Sequence, residues 1–268
     1  KIQLAMRIGL HTGQYFFADI GTPIRKDRVL FGADILKTKY AEQIGETGQV
    51  CITPDAAQYL GDLTGLDFAP HIDAHVLAID DPDFDLDSDL FLSYQMSHKR
   101  ETHAIDDKAP DVLIQRIEEL LDHHVLPIAA YLPHPILKLI VEHTADKRRP
   151  SNFTQATIIF VNLIGITEHI DTLENTQTEI LITSLSEIFA HINAVVETQN
   201  GVLKKMTCNT YGSDLMIFFG VPYSFADNAL RAAETVLQVR HIVAQYSEQL
   251  AAENLDLKCQ IGLSSGFV

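Results

Sequence analysis

Ala156-Thr157-Ile158-Ile159-Phe160-Val161-Asn162-Leu163 is apolar and β-branched without polar alternation, the pattern of a strand buried on both faces. The residues C-terminal to this strand set the fold class. From about Thr178 to Thr198, Leu181, Leu185, Ile188, Ile192 and Val195 recur at three- and four-residue spacing, one face of an amphipathic helix. Asn200-Gly201 supplies a helix stop. Two strands, Val202 to Thr207 and Asp214 to Phe219, flank the turn-rich Asn209-Thr210-Tyr211-Gly212. Ser224 and Asp227 form a capping-box pattern for a helix from about Phe225 to Leu250, with Ala229, Ala233, Val236, Leu237 and Val243 as its apolar face. A last strand runs from Leu255 to Leu263. The order is βαββαβ, so this half is expected to be an α/β (α+β) domain of ferredoxin-like arrangement.

The other end of the chain repeats one piece of that unit. Met6 to Gly13 reads MRIGLHTG and Cys259 to Gly266 reads CQIGLSSG, each a short apolar strand running into a polar turn closed by glycine. The separation far exceeds a solenoid period of about 20–50 residues, so it suggests two copies of one domain. The first copy continues with strand–loop–strand from Tyr15 to Phe31, a helix from Asp34 to Ile44 and a strand from Gly48 to Thr53. This divides the chain into residues 1–66, the later half of a first domain; 67–153, a linker; and 154–268, the earlier half of a second. Both ends are expected to fall inside a domain.

Within the linker, Asp80 to Asp89 is acidic, but no register offers the glycine and glutamate of a calcium-binding EF-hand loop. A helical pattern runs from Val112 to His124. Pro127, Pro133 and Pro135 are then expected to break it before Ile136 to Glu142 resumes.

Composition narrows the partners. Lys and Arg number 20 against 36 Asp and Glu, a formal net charge of −16, which disfavours nucleic acid and anionic membrane surfaces. Three widely spaced cysteines, Cys51, Cys208 and Cys259, form neither a disulfide framework nor a zinc site. No apolar run approaches the roughly 18 residues of a membrane span, so this part is expected to be cytoplasmic.

Several motifs in order resemble class III adenylyl/guanylyl cyclases. Phe160-Val161-Asn162-Leu163-Ile164-Gly165-Ile166-Thr167 is similar to the family's first metal-binding strand. Gly201-Val202-Leu203-Lys204-Lys205, Gly212-Ser213, Met216-Ile217-Phe218-Phe219-Gly220 and Pro222 with Ala229 and Ala232 keep the family's order. Ile8-Gly9-Leu10-His11-Thr12-Gly13, Asp19-Ile20-Gly21-Thr22-Pro23 and Gly45-Glu46-Thr47-Gly48-Gln49-Val50 resemble its later half. The resemblance covers roughly residues 4–66 and 154–268, and Tyr131-Leu132-Pro133 looks like the linker of tandem-domain soluble adenylyl cyclases.

The resemblance implies ATP cyclisation to cyclic AMP and pyrophosphate by two divalent ions, Mg2+ or Mn2+, held between two aspartates. It also implies a purine-reading lysine and an asparagine–arginine pair that stabilises the transferring phosphate. At the matching positions stand Asn162 and Ser213 for the metal aspartates, Leu36 and Tyr40 for the asparagine and arginine, and Val29 for the purine-selecting residue. Only Lys205 is retained, at the purine-reading position. No residue here is expected to bind metal, and the chain alone is expected to be inactive. It would complete a working site only with the missing halves of both domains. Asp214 is not a substitute, because it should face away from Ser213's side of the strand. Lys39, on the helix bordering the degenerate site, is the candidate contact for a small anion such as bicarbonate. His11 is expected to cap its turn. A non-catalytic sensor of nucleotide or anion is the alternative.

Overall fold

The computed structural model describes residues 6–59, 67–71, 74–78, 110–143, 155–165, 170–209 and 211–267. The acidic stretch from Asp80 to Asp89 lies outside the described residues. The first elements are β1 (Ile8–Leu10), β2 (Phe16–Thr22), β3 (Arg25–Phe31), α1 (Ala33–Ile44), β4 (Val50–Ile52) and α2 (Pro54–Ala57). Next come β5 (Asp67–His71), β6 (Ala74–Ala78), α3 (Pro110–Leu120), a π-helical turn (Leu121–Val125), α4 (Leu126–Ala129) and α5 (His134–His143). The last set is β7 (Ala156–Ile164), α6 (Asn175–Thr198), β8 (Val202–Asn209), β9 (Gly212–Phe219), α7 (Asn228–Ala251) and β10 (Lys258–Gly266).

The last six main elements keep the βαββαβ order, and their strands form one antiparallel sheet in the order β10-β7-β9-β8. Ile159, Val161 and Leu163 of β7 and Leu215, Ile217 and Phe219 of β9 point to one face, under α6 and α7. Leu181, Leu185, Ile188, Phe189, Ile192 and Val196 of α6 are all buried there. Each contributes about 1.5–3 kcal/mol by leaving water. By length and composition α6 could cross a membrane, contrary to the sequence expectation of no such run, but these six residues cover the sheet. The helix ends where expected: Asn200 turns to φ 58° and the Gly201 N–H donates to Val196 O at 2.8 Å.

Two expectations are corrected here. β7 is buried on one face only. Its other side stays apolar yet half-open, with Phe160 46% exposed, which hid the alternation. On α7 the inward stripe is Ala232, Thr235, Val239, Val243, Tyr246 and Leu250. Ala229, Ala233 and Leu237 face outward, because the helix packs on the core through the stripe that carries Ala232, Val239 and Val243. The capping box from Ser224 to Asp227 does not form. Instead Asn228 accepts from the Phe225 N–H and donates to Ser224 Oγ, both at 3.3 Å.

The first part of the chain packs onto this sheet through the β2–β3 hairpin. Ile20, Val29 and Phe31 enter the same core as Phe189. The Gly21 N–H donates to Ser186 Oγ at 2.8 Å, and Ser186 returns a bond to Gly21 O at 3.0 Å. Beside the hairpin, β1 pairs in parallel with β4, and α1 crosses so close that a Cβ on Gly9 would lie 2.4 Å from Glu42 N. The sheet then continues as β1-β4-β6-β5, so residues 67–71 and 74–78, expected to be linker, extend the first part's sheet.

Pro127 does not break its helix as expected. The π turn before it lets the Leu126 N–H bond back to Leu121 O, five residues away. That wider turn makes room for the ring and for the missing donor. The break falls at 131–133, after which α5 begins. Before that break, the Lys26 N–H donates to Ala130 O at 2.6 Å, and Tyr131 OH donates to Asp19 Oδ2 at 2.8 Å. The linker is therefore fastened to the hairpin.

Candidate functional site

Between β1, β3, α1 and β8 lies a cavity of ≈ 780 Å³. Val29, Leu30 and Ile35 form its apolar wall; Arg7, Arg28, Lys39 and Lys205 bring four cations against one carboxylate, Glu42. In a chain of net charge −16, that concentration of positive charge is local and specific. Two of the cations are already paired. Arg7 meets Glu42 at 3.1 Å, and Arg28 forks onto Asp19 at 2.7 and 2.8 Å. Hydrogen bonds from Arg28, with a further one from Tyr131, outweigh the cost of burial and bring Asp19 down to about 2. Lys39 and Lys205 make no ion pair or hydrogen bond to a described residue. Val29 and Leu30 of β3, Lys39 of α1 and Cys208 of β8 all line the cavity. Lys205, assigned from the sequence to the opposite site, lines this same cavity.

Lys205 gets there through a β-bulge that sequence reading missed. β8 pairs Leu203 with Ile217 and then Met206 with Leu215, so Lys204 and Lys205 together oppose Met216. Without the extra residue, one of the two lysines would point into the core. Both are exposed instead, while Leu203 and Met206 are buried on either side. A bulge frees backbone groups from the ladder, and the hairpin supplies their partners. Arg25 Nη2 donates to Leu203 O at 3.0 Å and to Lys204 O at 3.1 Å. The Met206 N–H donates to Asp27 Oδ2 at 2.5 Å. Arg25 is 5% exposed and lies 5.1 Å over the Phe189 ring. Burial raises the pKa of Asp27, against the pull of the Met206 N–H and Arg25. The signal in the sequence was Arg25-Lys26-Asp27-Arg28, four consecutive charges within the strand–loop–strand segment.

The positions matching the metal aspartates do not line this cavity. Asn162 pairs in register with Asp214, and Leu163 with Ser213, so Asn162 and Ser213 lie on opposite faces of the sheet. It is therefore Asp214, not Ser213, that shares a face with Asn162. Ser213 points into the core, fully buried and 3.3 Å from Cys208 Sγ. Asn162 Nδ2 donates to Asp214 Oδ1 at 2.7 Å and Asn209 Nδ2 to Asp214 Oδ2 at 2.5 Å. One carboxylate with both oxygens taken by amides does not fit Mg2+ or Mn2+, which need oxygen ligands in near-octahedral array. Among the described residues no group of three or more His, Cys, Asp or Glu is placed to hold a metal ion.

His11 is a structural anchor. Its buried ring has Nδ1 2.7 Å from Thr53 Oγ1, the N-cap of α2, and Nε2 3.2 Å from Asp34 Oδ1. It thereby ties the end of β1 to the two helices α1 and α2. Of the cysteines, Cys51 and Cys208 are buried and Cys259 is partly so, all three as free thiols.

Residues 149–268 match the family described as "Adenylate and Guanylate cyclase catalytic domain". That match covers a little under half of the chain and takes in β7 through β10. No curated protein matches the chain. Among solved structures, the guanylyl cyclase Cya2 is similar at 23% identity and TM-score 0.35, over 42% of this chain and 54% of that one. The adenylyl cyclase CyaB from P. aeruginosa is similar at 20% identity and TM-score 0.36, over 42% and 57%. The guanylate cyclase domain of RhGC from Catenaria anguillulae, in complex with GTP, is similar at 18% identity and TM-score 0.34, over 42% and 57%. The match thus spans little more than half of each of those chains.

Proposed function

We propose that this chain is part of a cytoplasmic nucleotide cyclase that converts ATP to cyclic AMP and pyrophosphate, and that the cavity beside β8 binds the purine nucleotide and a small anion. The observation that carries this reading is the cationic cavity in a strongly acidic chain, walled by Lys39 and Lys205. Asn162 and Asp214, a hydrogen-bonded amide–carboxylate pair, stand on the strands where the resemblance puts metal carboxylates. In this reading Lys205 contacts the purine nucleotide and Lys39 receives a small anion, bicarbonate. Mg2+ or Mn2+ would be held by domain halves that this chain does not contain. The amide pairing of Asp214 also favours a second reading, a cyclase-like sensor that binds nucleotide without turning it over.

Two measurements test the proposal. The chain incubated with ATP and Mg2+ or Mn2+ is expected to form no cyclic AMP above background. Robust turnover that disappears in Lys205→Ala would overturn the assignment of a metal-free site. The intact protein is expected to respond to bicarbonate at constant pH with increased cyclic AMP formation, and Lys39→Ala to abolish the increment. A flat bicarbonate titration, or an unchanged response in Lys39→Ala, would reduce Lys39 to a solvated helix residue. Binding of ATP without any cyclic AMP from the intact protein would favour the sensor.

A further inference from the structure

The β8 bulge, the hairpin and the cavity meet at Lys205. The peptide group before its Cα is held through Lys204 O by Arg25, and the peptide group after it through the Met206 N–H by Asp27. Arg25 and Asp27 are two apart on β3, so they present from one face of the hairpin and reach both ends of the bulge. Neither bond belongs to a strand ladder or to the sheet that carries Lys205; both come from the other part of the chain. Nothing in β8 or β9 replaces them, because Lys204 and Lys205 share the single opposing residue Met216.

We infer that Arg25 and Asp27 are the positioning residues for Lys205: they clamp the two peptide groups around it and so aim its side chain into the cavity. The ligand site then exists only while the β2–β3 hairpin is docked on β8. Ligand binding at Lys205 and association of the two parts of the chain become one linked equilibrium. Asp27 has a second effect, since its carboxylate interacts electrostatically with Lys205 itself. A ligand that draws Lys205 toward it works against that attraction. Arg25 is held in turn by the Phe189 ring, so the clamp is rooted in the shared core. The inference rests on the reading of the cavity as a ligand site for its affinity arm, but not for its backbone arm.

The experiment has both arms on the 268-residue chain. In the backbone arm, amide hydrogen exchange at Lys205 and Met206 is measured without ligand. Asp27→Ala is expected to speed it at least about tenfold, and Asp27→Asn, whose amide oxygen still accepts from the Met206 N–H, to leave it within about threefold. Exchange in Asp27→Ala equal to that of the unaltered chain would overturn the inference whatever the ligand result. In the affinity arm, ATP is titrated calorimetrically. Asp27→Ala and Lys205→Ala are each expected to weaken binding about tenfold, and the double variant to be no weaker than Lys205→Ala alone. Additive losses would mean that Asp27 acts on stability and not through Lys205, which overturns the positioning role. If Lys205→Ala alone leaves ATP binding unchanged, it is the cavity reading that fails, and the exchange result still decides the clamp. Arg25→Lys, which keeps the charge but loses the two-carbonyl fork, is expected to behave as Asp27→Ala does.

Discussion

Phe189→Ala is expected to cost about 3–5 kcal/mol of stability, toward the upper end for a truncation of this kind. Phe189 is 1% exposed on α6 and packs among residues from both parts of the chain. A Cβ on Gly21 of the hairpin would lie 3.1 Å from its ring, and the Arg25 guanidinium sits over its face. Truncation therefore opens a cavity and removes the aromatic surface that supports a buried cation, two penalties that act together. Urea unfolding of the variant beside the unaltered chain checks this. A loss under about 1 kcal/mol would mean that the hairpin and α6 do not share a core in solution, and the clamp on Lys205 would lose its foundation.

Lys205→Ala is expected to lower the cyclase activity of the intact protein and to narrow its discrimination between ATP and GTP. A polar contact to a purine edge is worth on the order of 1–3 kcal/mol, or roughly 5- to 150-fold. Asn162→Ala should change activity far less. Its amide serves Asp214, which keeps the bond from Asn209, and neither residue borders the cavity. Initial rates with each nucleotide for the two variants separate the readings. Equal, severe loss from both would place Asn162 in the working site and contradict its assignment as a structural partner of Asp214.

The two predictions depend on different kinds of information. The βαββαβ order was legible in the sequence because helix and strand periods are local: α6 shows its three-and-four spacing, and Asn200-Gly201 ends it. The family resemblance was legible for a related reason, since its motifs are short runs in fixed order and residues 149–268 carry enough of them. The repeat at Met6 and Cys259 likewise needed no third dimension to be seen.

Which way side chains face was another matter, because a strand reverses every face with a one-residue shift, and only its cross-strand partner sets the register. Ser213 and Asp214 exchanged roles once β9 was paired with β7. Lys204 and Lys205 left the core only because a bulge on β8 absorbed one residue, and that bulge is held by Arg25 and Asp27 from far along the chain. Pro127 stayed within a helix because a π turn widened ahead of it, and Ala229, Ala233 and Leu237 turned outward because packing rotated α7. Lys39 and Lys205 came to wall one cavity for the same reason. Spacing along a chain specifies local periodicity, whereas a site assembled from a helix and a distant strand is specified by register and packing, which the tertiary structure alone decides.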